Sequence, residues 1–181
     1  ENALNITKSF EQLLVATAEP YVINRCQEKD VPCLVEDEQL SHSASVERAT
    51  EWAISRGATT LLSVPIDTPG VTGEEIAAIL EAGKNSQVVV VPSADGLGTN
   101  ALLRRPPAAI KPHFGPDSCR LHSQDALNKG LLYQVLPLPG FAADIDTPED
   151  LQVFSQFDRN CKTRLLAIAL LSVPRGATPC L

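Results

Sequence analysis

Two segments of this 181-residue chain carry residue types that handle phosphate. The first, Asp95-Gly96-Leu97-Gly98-Thr99-Asn100-Ala101-Leu102-Leu103-Arg104-Arg105-Pro106-Pro107, gathers permissive backbone, hydroxyl and amide donors and two guanidinium groups. Gly96 and Gly98 let the main chain approach a ligand closely, and Thr99 and Asn100 can donate to phosphate or carboxylate oxygens. The glycine pair also reads as an ordinary turn, and at least one arginine as a solvated or ion-paired side chain. The second segment, Asp144-Ile145-Asp146-Thr147-Pro148-Glu149-Asp150-Leu151, places two carboxylates just ahead of a helix start. Two apart in an extended stretch, Asp144 and Asp146 leave from one face and would raise each other's proton affinity. Magnesium, which prefers oxygen ligands and retains waters and substrate phosphates, removes that penalty. A solvated turn capped by Thr147, with Pro148 at the first helical position and Asp150 in the first turn, accounts for the cap but not for the aspartates before it.

A third acid, Asp67, ends the run Val64-Pro65-Ile66-Asp67. Ligands of open α/β sheets collect beyond the carboxyl ends of strands, which makes Asp67 a candidate partner of Asp144 and Asp146; by itself it reads as a turn former. Gly115-Pro116-Asp117-Ser118 leads into a helical stretch whose free amides and Ser118 hydroxyl suit an anion, with a plain N-cap serine as the competing account. His42, His113 and His122 lack ligand spacing and read as ordinary surface or core histidines, and Trp52 as packing.

The elements that must position these residues alternate along the chain. Strands are expected at Leu13 to Ala16, Thr60 to Val64, Val88 to Val91 and Leu131 to Leu136. Helices are expected from Ser45 to Arg56, with Val46, Ala49, Ala53 and Ile54 on one stripe, and from a Thr72/Glu75 cap to Gly83. Two more are expected from Ser118 to Lys129, closed by Gly130, and from Pro148 onward. Pro106, Pro107, Pro112 and Pro116 exclude a regular helix there and predict an ordered loop. This order predicts an α/β domain with a mainly parallel sheet over residues 1–171, followed by a loose tail over 172–181.

Composition narrows the function. A hydrophobic content of 44% supports one substantial core, and a formal charge of -7 argues against nucleic-acid binding, which needs basic surfaces. Five cysteines without C-x-x-C spacing predict neither a zinc site nor a disulfide framework and favour a reducing cytoplasm. The apolar run Leu165 to Val173 is too short to cross a membrane and reads as a buried helix end. A homodimer is compatible with all of this.

Asp95 to Pro107, Phe114-Gly115-x-x-Ser118, His122, Pro139-Gly140 and Asp144 to Leu151 together resemble the guanylyltransferases of deazaflavin coenzyme F-420 biosynthesis, the CofC/FbiD family. The resemblance runs from about Leu13 to Leu151, with Asp67-Thr68-Pro69 as a weaker echo of the family's acid-Leu-Pro. It implies a MobA-like nucleotidyltransferase of three-layer GT-A type, the nucleotide-diphospho-sugar transferase-like fold, with a mainly parallel mixed sheet. It further implies GMP transfer from GTP to 2-phospho-L-lactate, phosphoenolpyruvate or 3-phosphoglycerate, releasing pyrophosphate. By this resemblance Asp67, Asp144 and Asp146 are the catalytic metal ligands. Thr99, Gly115 and Ser118 seat the acceptor, beside Gly98 and Asn100. The family's first strand and its Lys/Arg-containing triphosphate loop are expected ahead of Glu1, so the domain reads as N-terminally incomplete and turnover as dependent on that loop. Leu40-Ser41-His42-Ser43-Ala44 departs from the family's Gly-Leu-Asn before an alanine, which leaves guanine selection open. Two alternatives remain: another MobA-like nucleotidyltransferase, using CTP or a molybdopterin acceptor, and a non-catalytic relative or fragment that binds phosphoacids or a partner protein.

Overall fold

The computed structural model describes residues 10–38, 41–142, 144–157 and 161–172. In chain order the elements are β1 (Val15–Thr17), α1 (Pro20–Glu28), β2 (Cys33–Val35), α2 (His42–Ser55), β3 (Leu61–Ser63) and α3 (Gly73–Asn85). They continue as β4 (Val88–Pro92), β5 (Thr99–Arg104), α4 (Ser118–Asn128), β6 (Tyr133–Val135), α5 (Pro148–Ser155) and α6 (Lys162–Ser172).

The valines of β4 alternate between two apolar layers, which is why this strand reads as an unbroken hydrophobic run. Val89 and Val91 meet Ile76 and Ile79 of α3, with Ala101, Leu103 and Phe141, on one face of the sheet. Val88 and Val90 meet Cys119 and Ala126 of α4, with Leu102 and Ile110, on the other. Helix, sheet and helix thus form three layers, the sheet being four-stranded in the order β3-β5-β4-β6. β5 runs antiparallel to β3 and β4, whereas β6 is parallel to β4, so β3, β4 and β6 share one direction. Their carboxyl ends and the start of β5 therefore lie along one edge. β1 and β2 pair in parallel as a separate two-stranded sheet.

Local chemistry sets the helix starts. Thr72 and Glu75 cap each other's backbone amides at α3, and Thr147 and Asp150 do the same at α5, where Pro148 follows the cap. Gly130 takes a left-handed φ of 66° just past α4, as its position predicts.

Four expectations are corrected. Thr99 to Arg104, where the sequence predicts no strand and offers the first two residues as ligand donors, is a fully buried strand, because the glycines before it make the turn of a β4–β5 hairpin. Gly83 does not end α3, which continues to Asn85; a Cβ at Gly83 would lie 2.9 Å from Leu103 Cδ2, so the glycine permits close helix–strand packing. Ile54 leaves the buried stripe of α2, which is formed instead by Val46, Thr50 and Ala53. α6 is not a buried helix end: only Ala167 is buried, while Leu165, Leu166, Leu170 and Leu171 are each about half exposed, because its apolar residues run around the whole helix. No helix among the described residues is long and apolar enough to cross a membrane. Val173 and the predicted tail beyond Ser172 lie outside the described residues, as does Leu40.

Candidate active site

Asp67 lies just past β3, and Asp144 and Asp146 follow β6, so three acids distant in sequence arrive at the same sheet edge. The main-chain N–H of Ile145 donates to the carbonyl of Asp67 at 3.0 Å, setting the third acid directly against the pair. Neighbouring contacts hold the two loops together. Glu75, buried at the start of α3, accepts from the Gly140 N–H through Oε1 at 2.6 Å while its Oε2 completes the Thr72 cap. Gly70 approaches the Gly140 carbonyl so closely that a Cβ would sit 3.1 Å from it. On the other side, Asp150 Oδ2 accepts from the N–H groups of Asp146 and Thr147 at 3.2 and 2.8 Å, fixing the backbone between the aspartates and α5.

The electrostatics of this cluster are unfavourable without a counter-charge. Burial pushes the Asp67 carboxyl above the usual carboxylate range, and the nearby charges of Asp146 and Asp144 push the same way, partly opposed by a hydrogen bond to its own backbone. One of its oxygens, Oδ1, is buried without a hydrogen-bond partner. A buried, unsatisfied carboxylate oxygen beside two more acids fits a bound cation. Among the described residues no three His, Cys, Asp or Glu side chains are gathered closely enough to hold a metal ion by themselves, so Asp67, Asp144 and Asp146 share one edge without forming a closed ligand group.

A second constellation stands at the start of α4. The plain-cap account of Ser118 does not hold, because the N-cap is Asp117, in left-handed conformation at φ 58°, and Ser118 is the first helical residue. Its hydroxyl is buried and has no partner. Gly115, with φ 123°, supplies the turn that brings the chain there, a conformation side-chain-bearing residues rarely adopt. Thr99 opens β5, and its hydroxyl lies 3.1 Å from Nδ1 of His122, one helical turn beyond Ser118. The Cys119 N–H donates to the Leu97 carbonyl at 3.0 Å, tying α4 to the hairpin loop.

The remaining candidates support this geometry. The Gly98 N–H donates to Ser93 Oγ at 2.8 Å, and a Cβ at Gly98 would come within 2.7 Å of that oxygen, so this glycine serves the hairpin. Asn100 Nδ2 donates to the Phe141 carbonyl at 2.7 Å, linking β5 to the segment that carries Asp144. Arg104 does not line the acid-bearing edge: it is buried at the far end of β5, donating to Thr50 Oγ1 at 2.9 Å and to the Ile110 carbonyl at 3.3 Å. Burial lowers its pKa to about 10. Arg105 is exposed and donates to the Lys84 carbonyl. His42 stacks on Phe114 with centroids 4.0 Å apart, and Ser43 Oγ donates to the Phe114 carbonyl, placing the start of α2 against the Ser118 loop. A separate cleft of about 590 Å³ between Glu11, Pro32, Cys33, Trp52 and Arg56 shares no residue with either constellation.

Two residues with no site role in the sequence reading support this geometry: Glu75, read only as a cap, and His122, read as an ordinary surface or core histidine although it stands among the residues that carry the family resemblance. The signal for His122 was its place on the inward stripe Ser118, His122, Ala126 of α4, where a polar ring needs partners.

Known proteins resemble this chain in sequence and in fold. Residues 3–166 match the family described as "Guanylyl transferase CofC like". The chain is 33% identical over 156 residues to phosphoenolpyruvate guanylyltransferase of Conexibacter woesei, covering 85% of this chain and 70% of that protein. It is 32% identical over 166 residues to 3-phospho-D-glycerate guanylyltransferase of Colwellia psychrerythraea, covering 86% and 79%. A solved structure from Desulfovibrio desulfuricans, described as a nucleotide-diphospho-sugar transferase, superposes with a TM-score of 0.70 at 16% identity, covering 94% of this chain and 77% of its own. At that identity the likeness concerns the fold, which is the GT-A-type architecture expected from the sequence.

Proposed function

The chain belongs to the CofC-like family of guanylyl transferases, and on that premise we propose that it moves GMP from GTP to a phosphorylated three-carbon acid, with release of pyrophosphate, in coenzyme F-420 biosynthesis. The acceptor class is 2-phospho-L-lactate, phosphoenolpyruvate or 3-phosphoglycerate. The observation that carries this reading is the convergence of Asp67 on the Asp144–Asp146 segment, with a buried Asp67 oxygen that lacks a partner.

The reaction joins an acceptor phosphate oxygen to the α-phosphorus of GTP as the bond to the β-phosphate oxygen breaks. Pyrophosphate leaves in line with the bonding electron pair. The protein's main task is to bring two anions together in that orientation. Asp67, Asp144 and Asp146 would hold magnesium. When bound, the ion neutralises charge on the triphosphate and the departing pyrophosphate. The Ser118 and Thr99 hydroxyls and the Gly115 backbone seat the acceptor's phosphate and carboxylate, while Gly98 and Asn100 hold the hairpin and the Phe141 segment around them. An acceptor phosphate already ionised at neutral pH needs no general base, in keeping with the enclosed, hydrogen-bonded His122 as the nearest imidazole to Thr99. The substrates are small and anionic, and the setting we propose is the cytoplasm, where the four described cysteines stay free thiols.

The test is pyrophosphate release by the full chain with magnesium, GTP and each of the three acids in turn, and with CTP in place of GTP. Release with GTP and one acid supports the proposal. Release with CTP alone would move the protein to another nucleotidyltransferase activity.

A further inference from the structure

His122 is a buried titratable group to which the transfer reaction gives no proton. Its ring is wholly enclosed, with Phe114 edge-on at 5.2 Å between centroids. Nε2 accepts a 2.8 Å hydrogen bond from the main-chain N–H of His113, and Nδ1 faces the Thr99 hydroxyl at 3.1 Å. A nitrogen that accepts from a backbone amide cannot itself carry a proton, so the neutral ring holds its one proton on Nδ1. The charged ring is disfavoured. Burial, then the positive fields of His113 and Arg104, lower its pKa to about 3; Asp125 opposes this and His42 adds to it. The Thr99 oxygen therefore receives the Nδ1 proton, and its own hydroxyl proton meets no other protein acceptor among the described residues. Ser118, one turn earlier on the same buried stripe, offers a second hydroxyl with no partner.

Resting on the acceptor seat proposed above, we infer that His122 is a positioning residue that makes Thr99 a committed hydrogen-bond donor, so that the seat takes fully ionised phosphate or carboxylate oxygens and rejects groups that present a hydroxyl proton. The discrimination is steric and electrostatic, with no bond made or broken. A ligand O–H aimed at Thr99 would meet the proton that this hydroxyl is set to donate, whereas an oxyanion accepts it, and the unpartnered Ser118 hydroxyl can turn its proton to the same anion. His122 touches Thr99 and not the substrate, so its effect must travel through that one hydroxyl.

The experiment is a double-mutant cycle read by calorimetric binding of phosphoenolpyruvate and, separately, of GTP to the full chain in magnesium. His122→Phe is expected to weaken phosphoenolpyruvate about ten-fold, the scale of one lost hydrogen bond, with GTP affinity unchanged. In a Thr99→Val background the same His122→Phe change is expected to alter phosphoenolpyruvate affinity by less than about two-fold, because the hydroxyl it orients is gone. Equal weakening of both ligands, or a full ten-fold effect in the Thr99→Val background, would overturn the assignment. If His122→Phe fails to fold, His122→Asn, whose amide restores an N–H toward Thr99, must bind phosphoenolpyruvate within about three-fold of wild type. A ten-fold loss there would overturn the assignment too. Wild-type protein that binds none of the three acids would refute the acceptor seat itself, whereas wild-type binding with indifferent His122 variants would refute only the role of His122.

Discussion

Replacing Asp67 by asparagine should stabilise the metal-free protein while removing its response to magnesium, a change of sign that few structural roles can imitate. In the folded chain the Asp67 main-chain carbonyl accepts from the Ile145 N–H, while its carboxylate has Oδ1 buried and unpartnered and Asp146 and Asp144 adding like charge. An unsatisfied buried polar group costs about 1–3 kcal/mol, and because Asp67 is only half buried, solvent screening places the charge-dependent part near about 1 kcal/mol. For a chain of this length that corresponds to a rise of about 2–4 °C in Tm. The pH dependence follows from the raised carboxyl. The gain is full above the folded-state pKa of Asp67, where the wild type must bury the charge. It fades as pH falls through that value, where the protonated wild type resembles asparagine. Magnesium at about ten times its Kd should then stabilise the wild type by about 1.4 kcal/mol, or roughly 3–6 °C, and Asp67→Asn hardly at all. Differential scanning fluorimetry at neutral pH, with EDTA and across a magnesium titration, reads both effects. A variant that melts lower than wild type in EDTA and still gains the full increment from magnesium would refute the reasoning.

Asp144→Asn and Asp146→Asn are each expected to abolish pyrophosphate release while retaining a single cooperative melt; wild-type turnover in either would remove it from the metal site. Ser118→Ala should weaken the acceptor acid by roughly ten- to hundred-fold, the worth of a hydrogen bond to a charged group, with GTP affinity kept. The same variant should melt no lower than wild type, since it deletes a buried hydroxyl that lacks a partner, and calorimetry alongside a thermal melt checks both expectations. Gly70→Ala forces a methyl to 3.1 Å from the Gly140 carbonyl and 3.2 Å from the Phe157 ring, so it should cost about 1–3 kcal/mol and blunt the thermal response to magnesium by spreading the acid-bearing loops. An unchanged magnesium response would mean that this contact does not set the acid cluster.

The parts of this structure that were legible in the sequence are those fixed locally. Thr72 with Glu75 and Thr147 with Pro148 and Asp150 declare helix starts through bonds that span three residues, and the valines of β4 declare a strand covered on both faces. The acids could be suspected to meet because an α/β order sends strand ends to one edge. What stayed hidden depends on partners far along the chain. Thr99–Arg104 looks like a loop because glycines precede it and an arginine closes it, yet β3 and β4 on either side make it the most deeply buried segment beside β4. Arg104, whose place beside the glycine segment suggests either an anion contact or an ion-paired side chain, instead spends its guanidinium on Thr50 and Ile110. Glu75 and His122 look ordinary because the groups that give them their roles, Gly140 and Thr99, are 65 and 23 residues away.

The most direct test of the central claim is to incubate the full chain with magnesium, α-labelled GTP and each of the three phosphoacids, and to follow labelled GMP into product by mass spectrometry. The account predicts a GMP adduct of one acid together with pyrophosphate, lost in EDTA and lost in Asp144→Asn. Label that remains in GTP with all three acids, under conditions where the protein binds GTP and magnesium, would contradict it.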